Sequence, residues 1–260
     1  MNNYTNLFNI ASPLDQFEIR NYISIQGPLT ILGNISLTNI GLYILLSLTL
    51  IISFHVLSNN EEKLIWNKWS ILSETIYATV HNITTSQMNK TRGQIYFPFI
   101  YTLFIFILTS NLISLVPYSF ASTSHFILTF FLSFSIVFGA TILGLAKHGA
   151  KFFSLFVPSG CPLGLLPLLV IIEFISYVSR NVSLGLRLAA NILSGHMLLS
   201  ILSGFTYKIM TSGIISFVLG LLLFVFITAF SGLEIGIAFI QAQVFVVLTC
   251  SYLNDCIELH

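Results

Sequence analysis

Apolar residues in this chain gather into long runs separated by short polar segments. Residues 36 to 58, SLTNIGLYILLSLTLIISFHVLS, are apolar over about 23 positions. At 1.5 Å per residue that run covers the roughly 30 Å hydrocarbon layer of a bilayer, and it predicts a first transmembrane helix. Residues 95 to 116 and 126 to 146 predict a second and a third, split by Pro117 and the polar turn YSFASTSH. Between the first two runs, residues 59 to 94 carry Glu61, Glu62, Lys63, Lys68, Lys90 and Arg92 around Trp66, Trp69, Ile71, Leu72, Ile76 and Val80. Apolar positions at mixed helical spacing within a charged segment predict an interfacial amphipathic helix over 65 to 88.

After Pro158 and Gly160 two much longer apolar stretches follow, about 163 to 204 and 213 to 254, separated by FTYKIMTS. As a single helix, each would run about 63 Å, twice the thickness of the membrane, and would fit only if steeply tilted. The competing reading makes each stretch a pair of ordinary spans. Residues 165 to 178 are too few for a span, and no turn signal stronger than a lone glycine follows Pro167. Two long tilted helices forming a hairpin are therefore expected. The fold class predicted is an all-α polytopic membrane protein in one integral membrane domain over 1 to 260.

Composition strengthens this reading. Of 260 residues, 55% are hydrophobic and 7% are charged, against roughly 25% charged in an average soluble domain. Ten Lys and Arg with nine Asp and Glu cannot cover a soluble surface of this size. A net charge of +1 leaves no basic field to gather nucleic acid, so nucleic-acid partners are excluded and the lipid bilayer is the expected surrounding. Lys and Arg concentrate at 59 to 94 and at Lys147 to Lys151, whereas 117 to 125 carry none. The positive-inside rule puts the two basic loops on the inner side and the amino terminus on the other. The first twenty residues lack the Arg-rich, acid-poor pattern of a transit peptide, an expectation that fits insertion from within the compartment. Cys161, Cys250 and Cys256 are odd in number and without CxxC spacing, so they read as small hydrophobes.

Ionisable groups inside the apolar runs are the candidate chemistry. In IIEFISYVSRNVSLGLRLAANILSGH, 100° per residue brings Glu173, Ser176, Tyr177, Arg180, Ser183, Arg187, Asn191 and Ser194 onto one face, with His196 pointing to the other side. An arginine at mid-bilayer costs about 2.5 to 3.5 kcal/mol even on the lenient insertion scale, and it cannot shed its proton. Arg187 therefore has either a function or a structural ion-pair partner in Glu173 or Glu234, while Arg180 is expected to snorkel to the interface. Glu234 and Gln241, seven residues apart, share a face of the last helix, with Gly232 and Gly236 spaced for close helix approach. Tyr252, Asp255 and Glu258 follow at its end. Sorted by depth, Glu173 pairs with Asp255 and His196 with Glu234, with Arg187 between the two groups. No nucleotide-binding GxxxxGK[ST] loop and no HExxH-type spacing occurs. No cofactor, no metal ligand set and no catalytic group of the chain's own is expected. A substrate transporter and a purely structural membrane subunit are the other classes to weigh.

The run SLGLRLAANILSGH, Ser183 to His196, resembles the signature of the a subunit family of F-type ATP synthases, Leu-Gly-x-Arg-Leu-x-x-Asn-x-x-x-Gly-His in mitochondrial members. The resemblance extends from SPLDQFEIR at 12 to 20, which is similar to fungal members, through TSHF at 123 to 126, to GLEIGIAFIQAQVF at 232 to 245. It implies that Arg187 faces the carboxylate of each passing c-ring helix, with Asn191 and Gln241 as its polar neighbours. His196 and Glu234 match a pair in the half-channel on the intermembrane-space side, and Glu173, Tyr252 and Asp255 match positions of the matrix half-channel. It further implies a proton-translocating stator subunit of Fo, coupling proton flow to rotation and ATP synthesis by other subunits. Its setting would be the mitochondrial inner membrane, with the amino terminus in the intermembrane space. Its partners would be the c-ring, peripheral-stalk subunits and small membrane subunits, and dimers of the synthase are compatible with it.

Overall fold

The computed structural model describes residues 14–26, 34–59, 67–88, 90–116, 119–157 and 164–257. Glu61, Glu62, Lys63, Trp66, Pro117, Pro158, Gly160, Cys161 and Glu258 lie outside the described residues. The chain is an all-α polytopic membrane protein with one small strand pair. After a short 3-10 turn, Asp15–Phe17, strands β1 (Asn21–Gln26) and β2 (Asn34–Thr38) pair antiparallel. Among the described residues six α-helices follow: α1 Asn39–Ser58, α2 Lys68–Gln87, α3 Lys90–Ser114, α4 Phe126–His148, α5 Leu166–Thr211 and α6 Ile214–Ile257. Five of them, all but α2, are long and apolar enough to cross a membrane.

Helix ends differ from the sequence expectation in instructive ways. Residues 36 to 38 belong to β2, and Thr38 caps α1 by accepting a hydrogen bond from the Gly41 N–H at 3.5 Å. The segment FTYKIMTS does not separate the last two helices: α5 continues to Thr211, and the turn falls at Ser212 and Gly213. Polar residues alone do not stop a helix in which every backbone group is already bonded, and no proline or glycine intervenes before Gly213. Many serine and threonine hydroxyls inside the apolar helices are satisfied locally. Ser47, Thr49 and Ser53 in α1, for example, each donate to the carbonyl three residues back at 2.7 to 2.9 Å.

At 1.5 Å per residue, the 46 residues of α5 and 44 of α6 run about 69 and 66 Å. Pro167 stands in the first turn of α5, where its missing N–H costs nothing. The core lies where the second half of α6 meets α3, α4 and α5: Ala238, Ala242, Phe245, Val246, Cys250 and Leu253 recur every three or four residues and are almost wholly buried. Ile100, Phe104 and Ile107 of α3, Ile136 and Ala140 of α4, and Leu184 and Leu188 of α5 close on them. The first half of α6 stays open, with Ile215, Val218, Leu222 and Val225 all at least 65% exposed. At the opposite end, the His148 ring nitrogen Nε2 lies 2.9 Å from the Ile257 carbonyl and ties α4 to the end of α6.

Candidate functional site

The polar residues of α5 are distributed by what its neighbours allow. Gly185 packs on α4, where a Cβ would meet Ser133 Oγ at 2.8 Å and the Thr129 carbonyl at 3.2 Å. Only glycine permits that approach. Arg187, two residues or 200° further round the helix, must therefore face away from α4. It stands on the open outer face of α5, among Phe174, Val178, Val182, Leu186 and Ala190. Among the described residues no carboxylate lies within 4 Å of its guanidinium.

Toward the start of α5 and the end of α6, a second arginine forms ion pairs. Arg180 stands 3.9 Å from Glu173 Oε1 and 3.7 Å from Asp255 Oδ2, with all three side chains 39 to 46% exposed. Arg180, expected to snorkel to the interface, lies between the two carboxylates that the depth argument groups. The signal was present, because Glu173, Arg180 and Arg187 recur every seven residues. Tyr252, 5% exposed, lies where the charges of Arg180, Arg187 and Asp255 all act on its phenol.

On the other side of Arg187, the Asn191 amide Nδ2 donates to Gln241 Oε1 at 2.8 Å and joins α5 to α6. Beyond that bridge lies a cavity of about 130 Å³, lined by Asn191, Ser194, Gly195, His196 and Glu234 with Leu115, just past the end of α3, among the apolar walls. A cavity needs only about 10 to 15 Å³ of such volume to admit one water, so this one has room for several. Glu234 is 6% exposed, and neither carboxylate oxygen has a hydrogen-bond partner among the described residues. His196 Nε2 is likewise buried and unpartnered, so the two groups share a cavity without touching through a hydrogen bond. Asn191 and His196 lie 140° apart on α5 yet both reach this cavity because Gly195, between them, has no side chain. A Cβ there would stand 2.5 Å from Glu234 Oε1.

Gly232 and Gly236 do not serve close packing within the chain. Both are exposed, and a Cβ at either would meet nothing within 4 Å among the described residues. Gly232 and Gly236 each lie two residues, or 160° the short way round the helix, from Glu234, so turning the carboxylate inward turns both glycines out. Among the described residues no three of His, Cys, Asp and Glu converge as metal ligands.

Five membrane-length helices with an arginine and two separated carboxylate groups inside them define a polytopic membrane protein built around intramembrane ionisable side chains. Residues 41–254 match the family model described as ATP synthase A chain. ATP synthase subunit a of Emericella nidulans is 71% identical over 253 residues, covering 96% of this chain and 98% of that protein. The subunit of the same name in Podospora anserina is 68% identical over 252 residues, and that of Wickerhamomyces canadensis 46% over 251, each covering 96% of this chain and at least 95% of the relative. The chain belongs to the ATP synthase A chain family.

Proposed function

We propose that this chain is the proton-conducting stator subunit of the Fo sector, working against a ring of c subunits in the mitochondrial inner membrane with its amino terminus in the intermembrane space. The observation that supports the reading best is Arg187. It is a permanent cation within a membrane span, on the exposed outer face of α5, with no carboxylate within 4 Å among the described residues. The cost of placing it there has no visible compensation from Glu173 or Glu234, which weakens the structural ion-pair alternative and favours a carboxylate supplied by a partner.

The mechanism follows from charge and depth. A ring carboxyl in lipid is stable only when protonated. A fixed cation within about 4 to 6 Å lowers a carboxyl pKa by roughly 1 to 3 units, so Arg187 favours release of the proton as the carboxyl arrives. Glu173, Arg180, Tyr252 and Asp255 form the polar group through which that proton leaves to the matrix. After passing Arg187, the carboxylate is reprotonated from the intermembrane-space side by way of the cavity of His196 and Glu234. The Asn191–Gln241 bridge stands between this cavity and the arginine. The positive charge of Arg187 repels hydronium and keeps the two paths from joining, so protons cross only as the ring turns. Each crossing is worth about 2.3 kcal/mol per 100 mV. Peripheral-stalk and small membrane subunits hold the chain against rotation, and ATP is made elsewhere in the complex.

The test is ATP synthesis driven by an imposed proton gradient in inner-membrane vesicles carrying Arg187→Gln, with assembly of the complex confirmed first. Synthesis should fall to background. Synthesis at the wild-type rate would remove Arg187 from the coupling path and overturn the proposal.

A further inference from the structure

We propose that Phe17 is a positioning residue for His196, held in place by the attachment of the amino-terminal segment to α1. The two residues lie 179 positions apart in sequence, from 17 to 196, yet their rings meet edge to face, with centroids 6.3 Å apart and planes at 84°. That is the T-shaped arrangement aromatic pairs prefer, and it sets the orientation of the imidazole as well as its place. The same imidazole lines the cavity that Glu234 also lines.

The segment carrying Phe17 is not left to chance. Its own 3-10 turn is closed by the Phe17 N–H donating to the Leu14 carbonyl at 3.0 Å. One residue on, the Glu18 carbonyl accepts from Asn39 Nδ2 at 2.9 Å, and the Arg20 N–H donates to Asn39 Oδ1 at 3.3 Å. The Asn39 N–H donates in turn to the Arg20 carbonyl at 3.1 Å. Asn39, 5% exposed at the start of α1, thus binds the segment through three hydrogen bonds, and β1 to β2 pairing continues the attachment. The chain therefore has a fixed path from the first turn of α1 to the ring that rests on His196. A ring fixed there limits rotation of the imidazole and shields the part it covers from reagents and from stray water.

This inference rests on the reading of His196 as a proton-relay group, and its test separates the two. Carbethoxylation of His196 by diethyl pyrocarbonate is followed by peptide mass spectrometry in the intact complex carrying Phe17→Ala, Phe17→Tyr or Asn39→Ala. Phe17→Ala should raise the labelling rate between about twofold and tenfold, the range an aromatic contact of this kind controls. Asn39→Ala should do the same with the ring still present, and Phe17→Tyr should label as the wild type does. Proton-driven synthesis should fall with Phe17→Ala and return with Phe17→Tyr. Wild-type labelling in Phe17→Ala overturns the proposal; if that variant fails to assemble, wild-type labelling in Asn39→Ala overturns it equally. Raised labelling with undiminished synthesis would also sink it, since the contact would then serve no transfer. Labelling reports the contact alone, so a failure of the relay reading would show separately, as wild-type synthesis in His196→Ala.

Discussion

A methyl group added at Gly195 would stand 2.5 Å from Glu234 Oε1 and 3.0 Å from its carboxyl carbon. The first distance is closer than a Cβ can approach, so Gly195→Ala must push the carboxylate out of its place beside His196. In isolation the substitution favours the helix by about 1 kcal/mol, so the complex should still assemble. Proton-driven ATP synthesis should nevertheless fall by about 10- to 100-fold, the range expected when a reacting group is displaced by about 1 Å. Shortening the acid in the double variant Gly195→Ala, Glu234→Asp should recover part of the loss. Near-normal synthesis in the single variant would mean that the carboxylate can move freely without consequence. Such residue-scale constraints were only partly legible beforehand. The signature around Arg187 and His196 stood out because charged and polar groups in an apolar run are conspicuous. The role of Gly195 was hidden because it depends on where α6 comes to rest, and the place of Arg180 because snorkelling and ion pairing read alike in one dimension.

Among the helices, Asn191 and Gln241 join α5 to α6 by a side-chain hydrogen bond. Hydrogen bonds within membranes average about 0.6 kcal/mol, since separated helices find other partners. A double-mutant cycle of Asn191→Ala and Gln241→Ala, read on thermal dissociation of the assembled membrane sector, should give a coupling of about 0.5 to 1.5 kcal/mol. Strict additivity would show that the pair contributes nothing across this interface. The apolar runs made the all-α polytopic class readable, because 20 or more apolar residues have few other destinations. Element ends were less readable. FTYKIMTS looked like a break by polarity, but the break needs backbone freedom and comes at Ser212 and Gly213. The β1–β2 pair was missed because residues 21 to 38 lack a clean alternation, and its anchor, Asn39, is a long-range partner.

For the whole molecule, length decides orientation. A helix of 46 residues is about 69 Å long, so α5 can remain within a 30 Å apolar layer only by leaning about 65° from the membrane normal. On the proposed function, that lean would bring Glu173 and Arg180 toward one surface and His196 toward the other, with Arg187 between them. An upright helix would push one end far into water, where Leu168, Ile175 and Phe205, all at least 56% exposed, would gain nothing. The two arrangements differ in a measurable slope. Nitroxide labels placed singly at Leu168, Ile175, Leu198 and Phe205 in the assembled complex report depth through the ratio of oxygen to nickel-chelate relaxation. A helix leaning by about 65° should change depth by about 0.65 Å per residue, whereas one tilted by the usual 20° would change by about 1.4 Å. A slope near the larger value would break the link between helix length and the offset of the two polar groups, and with it the reason that a single helix can serve both sides of the membrane.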